Sequence, residues 1–260
     1  MEFRQLRLDV DAGLARLTFC DAARGNPIDA ALCAEICEAA TLLSEDSSVR
    51  CVLVAAEGNA FSYGGDISSF TGDLDSLPKN IKRWTTLLHS GIARLQRGDA
   101  PIVAAVQGVC AGGMAAFVAG ADIVVAAPDA RFVAAFAGIG FSNDSGSSIM
   151  YTRRMGIARA RRFLLLNETL DAPAAVAAGL ADEVAEDHLA RAEAIARQLA
   201  AGPTKAFGEM RRLFTSVEDQ PLETQLELEA QALARCAATE DARGALLAFA
   251  EKRRPVFAGR

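Results

Sequence analysis

The 260-residue chain is poor in residues that announce chemistry by themselves: it has two histidines, one tryptophan and two tyrosines. No CxxC pair occurs among Cys20, Cys33, Cys37, Cys51, Cys110 and Cys236. Cys33 and Cys37 share a helical spacing that could seat two metal ligands, but no histidine or second cysteine pair lies nearby, so ordinary packing is expected and no metal site is read. No apolar run reaches membrane-spanning length, because Gly, Asp or Pro cuts each one. Positive charge is not in excess either: the net charge of −6 argues against nucleic acid as the main partner, while local basic patches for a phosphorylated small molecule stay open. The glycine patterns of dinucleotide and ATP sites, GxGxxG and the Walker motif, are missing. The opening MEFRQLRLDVD alternates polar and apolar residues as a strand does, so no export signal is read and a cytoplasmic protein with reduced thiols is expected.

What the chain does have is alanine. Hydrophobic residues make up 51%, and their alanine share favours close-packed helices in thin layers over a thick aromatic core. Leu6, Leu8 and Val10, then Ala15, Leu17 and Phe19, alternate across Asp11-Ala12-Gly13 as a hairpin. Asp29 is placed to cap a helix carrying Leu32, Ile36 and Leu43. Buried strands are expected at 49–55, 102–106, 123–127, 131–136 and 180–184. Residues 70–80 read as a mobile loop, 81–95 as a helix bearing Trp84, Leu88 and His89, and 147–155, 157–166 and 172–178 as helices. From about 187 the pattern is helical to the end. The fold class is α/β with mostly parallel strands.

The centre of this pattern is PIVAAVQGVCAGGMAAFVAGADIVV, residues 101–125. It reads as a strand, a glycine turn over 108–113, a short helix over 114–121 and a second strand. Adjacent glycines at a helix start let backbone N–H groups approach an anion, backed by the helix dipole. They serve tight helix–strand packing equally well. A second glycine turn, FSYGGDI at 61–67, follows another buried strand and favours the ligand reading.

These two turns, with GNPID at 25–29, GLADEV at 179–184 and FAEKRRPVFAGR at 249–260, resemble the enoyl-CoA hydratase/isomerase (crotonase) superfamily over nearly the whole chain. The resemblance implies a crotonase-type spiral of strand–strand–helix repeats over 1–196. A C-terminal helical trimerisation region, 197–260, would follow and supply part of the CoA site. It also implies an acyl-CoA substrate, no cofactor beyond the coenzyme A that substrate carries, and a homotrimer or dimer of trimers. The N–H groups of Gly65 and Gly113 are expected to hold the thioester oxyanion, with Gly64 and Asp66 shaping the first turn. Arg24 would meet a CoA phosphate or remain a solvated surface arginine. Lys252 and Arg253 would contribute to CoA or form a charged helix end. Tyr63 would line the acyl pocket or cover its turn, and Ala115, Ala116, Phe117, Phe132, Phe136 and Phe141 would make that pocket apolar.

Hydratases of the family use two glutamates, and their positions here hold Ala116 and Phe136. Ordinary paired acid–base hydration is therefore not expected; a hydratase whose acids come from elsewhere and a member that binds acyl-CoA without catalysis stay open as alternatives to an isomerase. One carboxylate remains, Asp144 in GFSNDSG, as proton shuttle or as helix cap. The closest patterns are those of single-aspartate isomerases and of the 4-chlorobenzoyl-CoA dehalogenase. In the latter the aspartate is a nucleophile, a histidine near His89 hydrolyses the ester, and a tryptophan stands where this chain has Phe136. His89 reads first as a satisfied helical histidine and second as a base. In the tail, Leu222, Leu226, Leu228 and Leu233 make an apolar face that needs a cover, from a neighbouring chain or from the chain's own core.

Overall fold

The computed structural model describes residues 3–217 and 219–260. The hairpin forms as read: β1 (Leu6–Asp11) pairs antiparallel with β2 (Leu14–Phe19). Helix α1 (Ala30–Glu45) follows, and the Asp29 carboxylate accepts from the Leu32 N–H at 2.9 Å, which is the expected cap. Next come β3 (Cys51–Ala56), α2 (Ile67–Thr71) and α3 (Leu77–Arg97). The loop expected over 70–80 is thus mostly helical: Asp66 caps α2 and Pro78 sits in the first turn of α3, where its missing N–H costs nothing.

The central stretch folds as β4 (Ile102–Val106), β5 (Val109–Ala111) and α4 (Gly112–Ala119). Then come β6 (Ile123–Ala126), β7 (Arg131–Val133), α5 (Ser147–Leu165), β8 (Thr169–Asp171), α6 (Ala172–Ala178) and β9 (Glu183–Val184). The two helices expected over 147–166 meet at Gly156, whose backbone is non-helical. The tail is α7 (His188–Ala200), α8 (Thr204–Ser216), α9 (Leu222–Ala237) and α10 (Glu240–Ala250).

Six strands make one sheet in the order β1-β2-β3-β4-β6-β9, parallel except for the hairpin; β5, β7 and β8 make a second sheet. The chain steps from the large sheet to the small one and then into a helix, as β4–β5–α4 and again as β6–β7–α5. This is the strand–strand–helix spiral. Side chains alternate across the large sheet. Val52, Val54, Ile102, Ala104, Val106 and Val124 face the main core; Leu53, Val103, Ala105 and Val125 face α7. Ala192, Ala196 and Ala200 of α7 lie one helical turn apart on that far face, and their small size brings the helix close. The boundary expected between 196 and 197 therefore falls inside α7, whose Ala200 still packs on the sheet. Among the described residues, no helix is long and apolar enough to cross a membrane.

The N-terminal arm is held by a buried carboxylate. Glu35 accepts from the backbone N–H groups of Arg4, Gln5 and Leu6 at 2.9–3.1 Å. The far end of the chain differs from the helical expectation: residues 251–260 turn back as irregular chain, with Lys252 at positive φ. Buried Asp241 accepts from the N–H groups of Ala258 (2.6 Å) and Gly259 (2.8 Å), and Arg50 donates to the Phe257 carbonyl at 3.0 Å. Leu222, Leu226 and Leu233 stay exposed, as do Phe214, Leu246 and Phe249. Leu228 is half-buried, but the chain's own core leaves the rest of that apolar face uncovered.

Helices α8 and α9 are clamped by Glu209, which accepts two 2.8 Å bonds from Arg235 and lies 3.0 Å from Arg212. The Arg235 bonds, assisted by Arg212, outweigh burial and hold the Glu209 carboxyl at about 2. A depressed carboxylate contributes stability above its unfolded pKa and loses it as protons bind the folded state. The clamp is expected to weaken as pH falls from about 4.5 towards 2. Glu209→Gln should flatten that part of the acid-unfolding curve followed by circular dichroism, and leave the curve above pH 6 parallel to wild type.

Candidate active site

The first glycine turn is held in place by the loop that carries GNPID. Asn26 is buried and its amide donates to the carbonyls of Glu57, Ala60 and Phe61 at 3.0–3.2 Å. Ile28 donates to the Gly64 carbonyl at 2.8 Å, and Asp66 donates to the Ile28 carbonyl at 3.0 Å. A backbone bridge then joins the two turns: Ser62 donates to Val109 at 2.9 Å, and Ala111 donates to Ser62 at 3.0 Å. The approach is close enough that a β-carbon on Gly64 would stand 3.0 Å from the Ala111 carbonyl oxygen, and both Gly64 and Gly112 adopt positive φ. Gly65 and Gly113, one from each turn, line the same cavity. Neither N–H has a hydrogen-bond acceptor among the described residues. For Gly113 this follows from its place in the first turn of α4.

The cavity holds about 650 Å³. One face of α3 supplies a wall, with Ile81, Trp84, Thr85, Leu88 and His89 at helical spacing. Trp84 and Phe70 stack with ring planes 16° apart, and Phe141 leans on Phe70 at 5.7 Å. Phe70 also covers Gly65: a β-carbon there would reach its ring at 2.7 Å. Tyr63, Gly64, Phe136 and Phe141 line the cavity. The largely exposed Tyr63 ring also lies directly against Gly25 of the neighbouring loop, outside the turn it was expected to cover.

Four of the expected pocket residues do not reach the cavity. Ala115, Ala116, Phe117 and Phe132 are buried in the main core, where α4 packs as an apolar helix with no polar face. The wall formed by Phe70, Ile81 and Trp84 was not expected. Its signal was the apolar spacing of α3, which reads as core until the neighbouring loop is placed.

Among the described residues lining the cavity, Asp144 is the one carboxylate. It does not cap α5: the N-cap position is Gly146, and no side chain caps that helix. Asp144 Oδ1 accepts from Ser145 Oγ at 2.7 Å, while Oδ2 lies 3.9 Å from His89 Nε2. His89 Nε2 itself accepts from the Ser145 N–H at 3.3 Å. Cys33 also lines the cavity, but burial foremost, with Asp29 and Asp144 nearby, pushes its thiol up to about 12 and leaves it inert as a nucleophile at neutral pH.

Arg24 is neither free nor merely solvated. It donates to Asp21 and Asp29 at 2.6 and 2.9 Å and reaches Asp66 at 3.5 Å. Bonds to Asp29 and Asp21 raise its pKa. Burial pushes the Asp29 and Asp66 carboxyls up, but donated hydrogen bonds outweigh it and both stay below the ordinary range. These come from Leu32, Gln5 and Arg24 for Asp29, and from Ser68 and Ser69 for Asp66. A phosphate at Arg24 would compete with three carboxylates already in place. Lys252 does not line the cavity within this chain, and Arg253 pairs with Glu251.

A strand–strand–helix spiral with two free backbone donors beside an apolar cavity defines the crotonase class of fold. Comparison with known proteins agrees. The profile of the family described as enoyl-CoA hydratase/isomerase matches residues 9–260. The 1,2-epoxyphenylacetyl-CoA isomerase of Escherichia coli is 32% identical over 257 residues, covering 96% of this chain and 97% of that protein. The trans-2-decenoyl-[acyl-carrier-protein] isomerase of Streptococcus mutans is 27% identical over the full length of both. The crystal structure titled putative enoyl-CoA hydratase from Streptomyces coelicolor superposes with a TM-score of 0.94 at 32% identity, covering 100% of this chain and 96% of that one. The chain belongs to the enoyl-CoA hydratase/isomerase family.

Proposed function

We propose that this member is an enoyl-CoA isomerase that moves a double bond with Asp144 as its single proton shuttle. The observation that carries the reading is the cavity itself: among the described residues, one lining carboxylate, not used as a helix cap, beside two backbone donors without acceptors. The thioester carbonyl accepts from Gly65 and Gly113 N–H. Asp144 takes the α-proton, the C–H electron pair moves into an enolate on the thioester oxygen, and the protonated Asp144 returns the proton at the γ carbon. No water is consumed, which suits a chain with Ala116 and Phe136 at the two positions where the family resemblance puts the hydratase glutamates. The acyl group lies on Phe70, Trp84 and Phe141. The name of one relative, a trans-2-decenoyl-[acyl-carrier-protein] isomerase, supports a double-bond shift, and that of another, a 1,2-epoxyphenylacetyl-CoA isomerase, supports isomerisation as the reaction class.

The distance of 3.9 Å from His89 Nε2 to Asp144 Oδ2 favours one second reading, an aryl-CoA hydrolysis with Asp144 as nucleophile and His89 as base. A single panel of 3-enoyl-, 2-enoyl- and 4-halobenzoyl-CoA separates the two. The isomerase reading expects turnover of the 3-enoyl substrate only; a mass increase on Asp144 with the halobenzoyl substrate would establish the hydrolytic one.

CoA is held, in this proposal, along the 24–29 loop, with Arg24 itself staying paired to its carboxylates, and by Lys252 across a subunit boundary. The exposed leucines and phenylalanines of α8 to α10 are covered by copies of the chain in a trimer or dimer of trimers. Light scattering at micromolar concentration should return three or six chain masses; a monomer would refute the assembly.

A further inference from the structure

Ser145 joins Asp144 and His89 in the cavity wall. Its hydroxyl donates to Asp144 Oδ1 at 2.7 Å, and its N–H donates to His89 Nε2 at 3.3 Å. The residue is fully buried. Its hydroxyl also stands against the second turn, 2.7 Å from where a β-carbon on Gly113 would be. It is held at φ +56°, a region where a β-carbon is disfavoured and glycine is not. The fold alone would be better served by glycine here, as it is at the next position, Gly146 (φ +78°). What serine adds at this position is its hydroxyl.

A carboxylate turns readily about its terminal bond and can offer either oxygen. A hydroxyl carries one proton, and that of Ser145 is given to Oδ1. We propose that Ser145 is a positioning residue: it secures Oδ1 and so assigns Oδ2 as the oxygen that takes and returns the proton, at a fixed angle to the plane of the enolate. The inference rests on the isomerase reading of Asp144. It goes further by naming which oxygen reacts and what orients it. In the transfer, the α C–H bond breaks and the Oδ2–H bond forms; then Oδ2–H breaks and the γ C–H bond forms, with the Ser145 proton remaining on Oγ throughout.

The test uses the intact protein with a trans-3-enoyl-CoA and four forms: wild type, Ser145→Ala, Ser145→Gly and Asp144→Asn. A misplaced reacting group costs up to about 100-fold in rate. Both serine variants are expected to lose about 10- to 100-fold in kcat with KM within about twofold of wild type. Ser145→Gly also relieves the backbone, so it is expected to melt at or above the wild-type temperature. That variant separates a lost hydroxyl from a damaged fold. Loss of kcat in the alanine variant with full kcat in the glycine variant would make Ser145 a backbone feature and overturn the proposal. So would an effect confined to KM. Full activity in both serine variants beside an inactive Asp144→Asn would overturn it and leave the isomerase reading standing. If Asp144→Asn turns over like wild type, or wild type does not act on the substrate, the isomerase reading falls and this inference falls with it.

Discussion

Asp144→Asn is expected to slow isomerisation of a 3-enoyl-CoA by about 10³-fold or more while KM stays within a few-fold. The amide has the shape of the carboxylate but cannot accept the proton, so binding survives and chemistry does not. The magnitude follows from the cavity wall, where the described residues offer no second carboxylate. His89 is the nearest alternative acceptor, and its Nε2 lone pair already receives the Ser145 N–H. Steady-state kinetics with wild type and variant in parallel decide the matter. A variant with tenfold or less loss in kcat would show that another group moves the proton.

The second large effect is expected at Gly113. An alanine there would place its β-carbon 2.7 Å from Ser145 Oγ, 2.9 Å from Ile28 Cδ1 and 3.5 Å from Asp144 Oδ1. Ile28 can swing aside. Ser145 cannot move without pulling on Asp144, because the two are hydrogen-bonded at 2.7 Å. One methyl group therefore displaces both halves of the proposed machinery, the donor turn and the base. Removing a single oxyanion donor costs about 10²- to 10³-fold in kcat, and Gly113→Ala should fall in that range. The fold should lose only about 1–3 kcal/mol, as overpacking commonly costs. Thermal unfolding and kcat measured on the same preparation test the pair of expectations. A large loss of stability with proportionate loss of activity would mean that the glycine serves packing alone.

Much of the architecture was legible in the order of residues. Strand β4 falls on Ile102–Val106 because a run of five apolar residues between Pro101 and Gln107 has no other use. Asp29 capped its helix, and the break at Gly156 separated the two halves of α5 as expected. What sequence pattern could not resolve is which buried residues border empty space. Ala116 and Trp84 both sit at apolar helical positions, yet the first is sealed in the core and the second faces the cavity. That difference depends on the one-turn helix α2 that carries Phe70 and on the turn at 136–146, neither of which has a periodic signal. The fate of Arg24 was hidden for a related reason. Asp21, Asp29 and Asp66 lie up to 42 positions away along the chain, and only the folded loop gathers them around one guanidinium. The irregular last ten residues were misread as helix because the partners that bend them back, Asp241 and Arg50, are remote or look like ordinary surface charges.

The bridge between Ser62 and the 109–111 strand has a consequence for how such a protein changes over time. The two proposed donors are main-chain groups, and what spaces them is also largely main chain. Substitutions at 116, 136, 144 or 89 alter side chains around that frame without removing either N–H. Lineages are thus free to exchange acids, bases and nucleophiles while the thioester oxygen keeps its berth. A scaffold of this kind diversifies by editing what is done to a captured intermediate, with the capture itself inherited unchanged.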